Sequence, residues 1–301
     1  MIFNKERVLK NRRLCQAIFG VSREEIESLL PIFSQCLIAY RYQIKPIRQN
    51  KIGQGRKGDL PTDLDKLLYI LAYLKVYPTY DAMSVLANHQ RSKCGDSVKF
   101  LLPPLEMALK RKLVLPKRKA RTLEEIFQDN PELKDVFLDG SERRTQKPKD
   151  KKRRNKLYSG KKKATTRKNI ILNDEKKKIL FMSKTKSGRR HDKRIVDKDQ
   201  LARHIPPDVA IWADTGLQGL QKSHPNVIMP AKASKNNPLT FEQKQNNRII
   251  SGIRVVSEHT IAGYKRFKAT SDVYRNRLAN MDDTMNLVCA GLWNLHLEQT
   301  V

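Results

Sequence analysis

The sequence predicts a helical amino-terminal region followed by an α/β domain with a mixed sheet. Residues 60–109 place leucines at helical spacing behind two capping signals. After residue 135 the period changes, and short apolar runs replace the stripes. Strands come first there, and helix and strand then alternate, which is the order of an α/β domain.

The first helix opens at Val21-Ser-Arg-Glu-Glu-Ile-Glu, with Ser22 as N-cap and Glu25 three residues on, a capping box. Thr62 and Asp65 repeat the signal. Leu64, Leu67, Leu68, Leu71 and Leu74 then form one stripe until Tyr77-Pro-Thr breaks the helix. Thr79 caps a short helix through Met83, Leu86 and Ala87. A last segment carries Val98, Leu101, Leu102, Leu105 and Leu109, with a bend expected at Pro103-Pro104. Helix, turn, short helix, turn and a last helix with a basic start, Arg91 and Lys93, is the pattern of a helix-turn-helix DNA reader. A plain helical bundle is the alternative.

In the second half, Val136-Phe-Leu-Asp-Gly reads as a buried strand ending in a turn. Residues 168–182 read as a hairpin about Asn173-Asp174-Glu175, and 192–204 as a helix. Asp208 to Asp214 and Asn226 to Met229 read as strands. Thr240 caps a long helix to about Lys268. The expected organisation is a helical domain over 1–109, with its helix-turn-helix at about 60–109. A basic linker over 110–134 and an α/β domain over 135–301 follow.

The chain carries 61 Lys and Arg against 31 Asp and Glu, a net charge of +30 over 301 residues. Such an excess repels itself unless counter-anions relieve it, and nucleic acid is the usual supplier. Residues 143–168 hold fourteen basic residues and only Asp150 as an acid. A solvated loop is the ordinary reading of such a run. Its place directly after Asp139 favours phosphate contact by Arg143, Arg153, Arg154, Lys161, Lys162 and Lys163. The longest apolar stretch, Leu67 to Leu74, is far short of the ~18 residues of a membrane helix. The amino terminus lacks an apolar signal core, and four scattered cysteines without a CxxC pair fit a reducing cytoplasm.

Three acids stand where acids do not help folding. Asp139 and Asp214 end apolar runs, and Glu258 lies mid-helix. Singly, each has an ordinary reading: turn formers for the two aspartates, and an ion pair with Arg254 for Glu258. Jointly, carboxylates at adjacent strand ends repel unless a cation neutralises them. Two Mg²⁺ ions held by acids can activate water at a phosphodiester. On the long helix Arg254, Glu258, Ile261, Ala262 and Lys265 share a stripe, which suits a wet, charged site. Asp192 reads as an N-cap, and Trp212 as packing.

Phe137-Leu-Asp139-Gly-Ser-Glu-Arg, Tyr158-Ser-Gly-Lys-Lys-Lys, Trp212-Ala-Asp214-Thr-Gly-Leu-Gln-Gly219 and the run from Asn247 through Arg254, Glu258 and Lys265 resemble the DDE transposases of bacterial insertion sequences. Within them they resemble the insertion-sequence-five family, loosely over 60–109 and closely over 135–295. Ser251, Leu217 and Thr165 stand where that family commonly has Tyr, an aromatic residue and His. The resemblance implies an RNase H-like catalytic domain, with Asp139, Asp214 and Glu258 as catalytic and metal-holding acids. It implies two Mg²⁺ per active site, with Mn²⁺ able to substitute, and phosphate contacts from Arg254 and Lys265. It further implies cleavage at transposon ends and 3′-OH strand transfer. The implied partners are double-stranded DNA (terminal inverted repeats and target) and a second copy of the chain, in a nucleoid-associated, cytoplasmic setting. Two other readings stay open: a non-catalytic DNA-binding protein derived from a transposase, and a basic RNA-binding protein.

Overall fold

The computed structural model describes residues 4–46, 58–234 and 238–299. Among the described residues seven α-helices come first: α1 (Lys5–Lys10), α2 (Arg12–Phe19), α3 (Arg23–Ile44), α4 (Asp63–Val76), α5 (Tyr80–Ala87), α6 (Arg91–Arg111) and α7 (Leu123–Asp129). Then follow β1 (Asp135–Arg144), α8 (Lys151–Leu157), β2 (Tyr158–Ser159), β3 (Ala164–Asp174), β4 (Ile179–Met182) and β5 (Lys186–Ser187). The chain continues through α9 (Asp192–Lys198), β6 (Ala210–Ala213), β7 (Val227–Ile228), α10 (Phe241–Lys265), α11 (Lys268–Ser271) and α12 (Met281–Glu298). It divides into two compact units. One comprises Met1–Leu115, Tyr264–Asp272 and Arg277–Val301; the other comprises Pro116–Gly263 and Val273–Asn276.

In the helical unit both capping boxes form. The Ser22 and Glu25 side chains each accept the other's backbone N–H, at 3.2 and 2.8 Å respectively, and those of Thr62 and Asp65 do the same at 3.0 and 3.2 Å. Each satisfies two N–H groups that the helix cannot. From Leu67 to Leu74 α4 is buried all round, as an uninterrupted apolar helix must be. Left-handed Tyr77 and Asn88 end α4 and α5 and turn the chain into the next helix. Helix α6 remains one helix through Pro103 and Pro104, where the bend was expected. Buried His89 ties the turn before α6 to its neighbours, with Nδ1 2.8 Å from Asp59 and Nε2 2.8 Å from Ser97. The four cysteines are free and buried.

The carboxy-terminal helix α12 belongs to this helical unit and packs on α6. The Asn294 amide donates to the Val114 carbonyl (2.8 Å), and His296 Nδ1 meets Glu25 at 2.7 Å. Arg266 lies against Phe267 and Trp293 and donates to the Gly20 carbonyl at 2.7 Å. Residues 277–301, expected within a second domain over 135–301, thus pack in the helical unit. The apolar face of α12 finds its partner on the amino-terminal helices.

Much of the stretch expected as a linker, 110–134, is packed on the sheet. Lys117 bridges Phe181 beside β4, and the Arg118 guanidinium donates to the carbonyls of Met182 and Ser183 at 3.0 and 2.8 Å. Leu123 and Phe127 of α7 enter the core beneath the sheet. Two buried apolar side chains and these backbone bonds make 116–134 part of the sheet unit, despite its charge, while 110–115 stays with the helical unit.

Strands run β2-β3-β1-β6-β7, with β4 and β5 also on β3. β1 is antiparallel to β3 and parallel to β6, and β6 is parallel to β7, so the sheet is mixed. The hairpin forms as expected between β3 and β4. Strand β1 runs on to Arg144, well past the expected turn at Gly140, because β3 pairs with it throughout. The predicted helix over 192–204 is shorter: α9 stops at Lys198 and a 3-10 turn follows left-handed Gln200. Val136 and Leu138 of β1 face the core shared with α7 and α9. By strand alternation Phe137 and Asp139 face the other side.

Candidate active site

The register between β1 and β6 pairs Phe137 with Trp212 and Leu138 with Ala213. The next position along each strand is Asp139 and Asp214, so two carboxylates stand side by side where β6 ends. One step earlier the Phe137 and Trp212 rings stack with centroids 6.3 Å apart, and the indole N–H donates to Asp135 at 2.5 Å. Trp212 is therefore packing that fixes the register. Asp139 accepts the Gly140 N–H at 2.6 Å, and Asp214 accepts the Thr215 N–H at 2.7 Å.

Arg254, from α10, reaches both acids. Its Nη2 is 3.8 Å from Asp139 Oδ2 and its Nη1 is 4.0 Å from Asp214 Oδ1. These separations exceed hydrogen-bond length, so the guanidinium offsets the paired charges without locking onto either. Burial pushes the Asp139 carboxyl above its ordinary range, and the charge of Asp214 adds to that. The Gly140 N–H, Arg254 and Lys161 pull the other way.

Glu258 lies one turn beyond Arg254 on α10 and is exposed. Among the described residues no three Asp, Glu, His or Cys side chains gather as a metal cage. The structure therefore unites Asp139, Asp214 and Arg254, and does not bring Glu258 into a three-carboxylate group with the aspartates. Paired hard-oxygen donors that share a single cation suit a divalent ion, and Asp139 and Asp214 fit that part of the set.

The basic candidates fall in different places. Lys161, Lys162 and Lys163 are exposed on the turn between β2 and β3; Arg153 is exposed and Arg154 half-buried on α8. Arg143 is only 5% exposed, with its guanidinium 4.8 Å from the Tyr274 ring centre. By strand alternation it shares the Asp139 side of β1, where Tyr274 packs on it. In the helical unit Arg91 and Lys93 are exposed on the first turn of α6, where Arg91 pairs with Asp81 at 2.5 Å. Lys265 is half-buried in the last turn of α10.

One group of residues escaped the sequence. Lys168 lies opposite Glu142 in the β1–β3 register, and its Nζ is 2.9 Å from both Glu142 and Asp192. His191, not Asp192, holds the N-cap position of α9. Gly140 makes room for the Asp192 carboxylate: a Cβ there would lie 3.0 Å from Asp192 Cγ. Burial alone would raise the Glu142 carboxyl and lower the Lys168 ammonium. Their hydrogen bonds and mutual charge outweigh it, so Glu142 is held below its ordinary range and Lys168 above. The signal in the sequence was Gly140 in Asp-Gly-Ser-Glu, which a turn explained equally well.

The chain that carries this pair of carboxylates has relatives among known proteins. Residues 138–294, a little over half of the chain, match the DDE superfamily endonuclease family, and the chain belongs to it. It is 27% identical over 278 residues to the probable transposase for insertion sequence element IS702 of Microchaete diplosiphon, covering 92% of each chain. No solved structure matches. Among the described residues no helix is long and apolar enough to cross a membrane.

Proposed function

We propose that the chain is a transposase that cuts DNA at the ends of an insertion sequence and joins the freed 3′-OH to target DNA. The carrying observation is the Asp139–Asp214 pair, one step past the last paired residues of β1 and β6 and shared by Arg254. Its family membership and a relative named as a probable transposase support the substrate class. On this reading the sheet unit is RNase H-like and the group is insertion-sequence-five.

Asp139 and Asp214 would hold divalent metal, Mg²⁺ with Mn²⁺ as substitute and two ions per site, and Glu258 would be the third acid. When bound, that metal supplies Lewis acidity at the scissile phosphodiester. Arg254, poised between the acids at more than hydrogen-bond length, keeps its planar donors available to a phosphate oxygen. Lys161 to Lys163, Arg153 and Arg154 would carry the flanking phosphates, and Lys265 would assist at the transposon end. Contacts of this kind position DNA without reading its sequence.

Helices α4, α5 and α6, joined by tight left-handed turns, would serve as the helix-turn-helix reader, with Arg91 and Lys93 at the start of its last helix. Two copies would be needed to hold two DNA ends, and the work would take place in the cytoplasm, at the nucleoid. The test uses DNA that carries the inverted repeats flanking the gene. With Mg²⁺, new ends bearing 3′-OH groups are expected. Repeat binding without any cutting would favour a non-catalytic DNA-binding protein derived from a transposase.

A further inference from the structure

Beside the paired acids the sheet unit holds a cavity of about 570 Å³, to which the catalytic reading assigns only Lys161. That size lies in the ~300–1,000 Å³ range of small-ligand sites. Lys168 lies at one side of it, its charge already met by Glu142 and Asp192. The remaining charged lining, Lys161, Arg189 and Arg190, is exposed and in no ion pair among the described residues, which leaves the cavity positive. Tyr158, 44% exposed, and Asn155 add an aromatic ring and an amide to the lining. Gly216 joins this cavity to the acids. A Cβ at that glycine would lie 3.8 Å from Asp214 Oδ2 and 3.9 Å from Asp192 Oδ2.

Cations for a backbone, one ring for a base and an amide for its edge, in a single concavity, form a site for one unpaired nucleotide. We propose that this cavity holds a single unpaired nucleotide of the DNA strand being cut. Tyr158 stacks on the base, while Lys161, Arg189 and Arg190 meet the adjoining phosphates. The placement rests on reading Asp139 and Asp214 as the cutting site. The proposed occupancy itself requires no cutting.

The test is run on the full chain in EDTA, with two fluorescent probes: a blunt DNA duplex, and the same duplex with unpaired nucleotides at one end. Tyr158→Ala is expected to weaken binding of the frayed probe by about 5- to 150-fold, the usual effect of losing one stacked base. It should leave the blunt probe unchanged, and Tyr158→Phe should restore the frayed one. A 5-bromodeoxyuridine in the unpaired end should cross-link under ultraviolet light to the peptide containing Tyr158. If Tyr158→Ala does not fold, judged by circular dichroism, the exposed pair Arg189→Gln and Arg190→Gln should show the same selective loss. Equal affinity of all variants for the frayed probe, or cross-links confined to other segments, would overturn the proposal. A chain that binds through Tyr158 yet never cuts with Mg²⁺ keeps this inference and loses the catalytic reading. One that cuts and is indifferent to Tyr158→Ala does the reverse.

Discussion

Lys168 shows how one side chain can hold together three elements. It sits on β3, opposes Glu142 on β1 and reaches Asp192 on α9, with its own side chain 7% exposed. Removing a buried ammonium strands two carboxylates, so Lys168→Met should cost about 3–5 kcal/mol, measured by urea unfolding. The pH dependence follows from the same pair. Glu142 is held below its ordinary value of 4.5, so its contribution is complete above that pH and is lost as pH falls through the lowered value. Lys168 is held above its ordinary value of 10.5, so its contribution is complete below that pH and is lost as pH rises through the raised value. Urea midpoints measured across pH should therefore fall at both extremes in the unmodified chain. In Lys168→Met the alkaline fall assigned to this ammonium should disappear. Asp139 and Asp214 were legible in the sequence because each ends an apolar run. The Lys168 group was not, since only the β1–β3 register brings its members together.

Among the elements, α7 departs furthest from expectation. Its surroundings are so basic that charge suggested a linker, yet Leu123 and Phe127 are buried in the sheet's core. Seven residues carry too little periodic signal to outweigh a charge run, so packing decides what sequence pattern could not. Phe127→Ala should lower the stability of the sheet unit by about 3 kcal/mol, read from the loss of its cooperative unfolding transition. A change within experimental error would return the segment to linker status. The capped helices were easier to read. Ser22 with Glu25, and Thr62 with Asp65, form local hydrogen bonds that need no distant partner. Replacing Ser22 by Ala should cost about 1 kcal/mol by the same measurement. Strand β1 was read too short, because its outer half is polar and held by β3 rather than by its own apolar pattern.

At the scale of the whole molecule, the chain's order in sequence is not its order in space. Long-range partners such as Asn294 with Val114 and His296 with Glu25 return the carboxy terminus to the first helices. No local pattern announces such a return, since the apolar face of α12 would suit any core. Deleting residues 277–301 should therefore unfold the helical unit, seen as loss of its helical circular dichroism. The +30 charge found first in the sequence divides between this unit and the sheet unit, and in the latter it surrounds two acids. Those acids make the central claim testable in one measurement: the yield of 3′-OH ends on inverted-repeat DNA against Mg²⁺ concentration, for the unmodified chain, Asp139→Asn and Asp214→Asn. Metal-dependent cutting by the unmodified chain, abolished in both variants while DNA affinity is retained, is the expected result. Cutting by either variant at the unmodified rate, or none by the unmodified chain at any Mg²⁺ concentration despite tight binding, would contradict it.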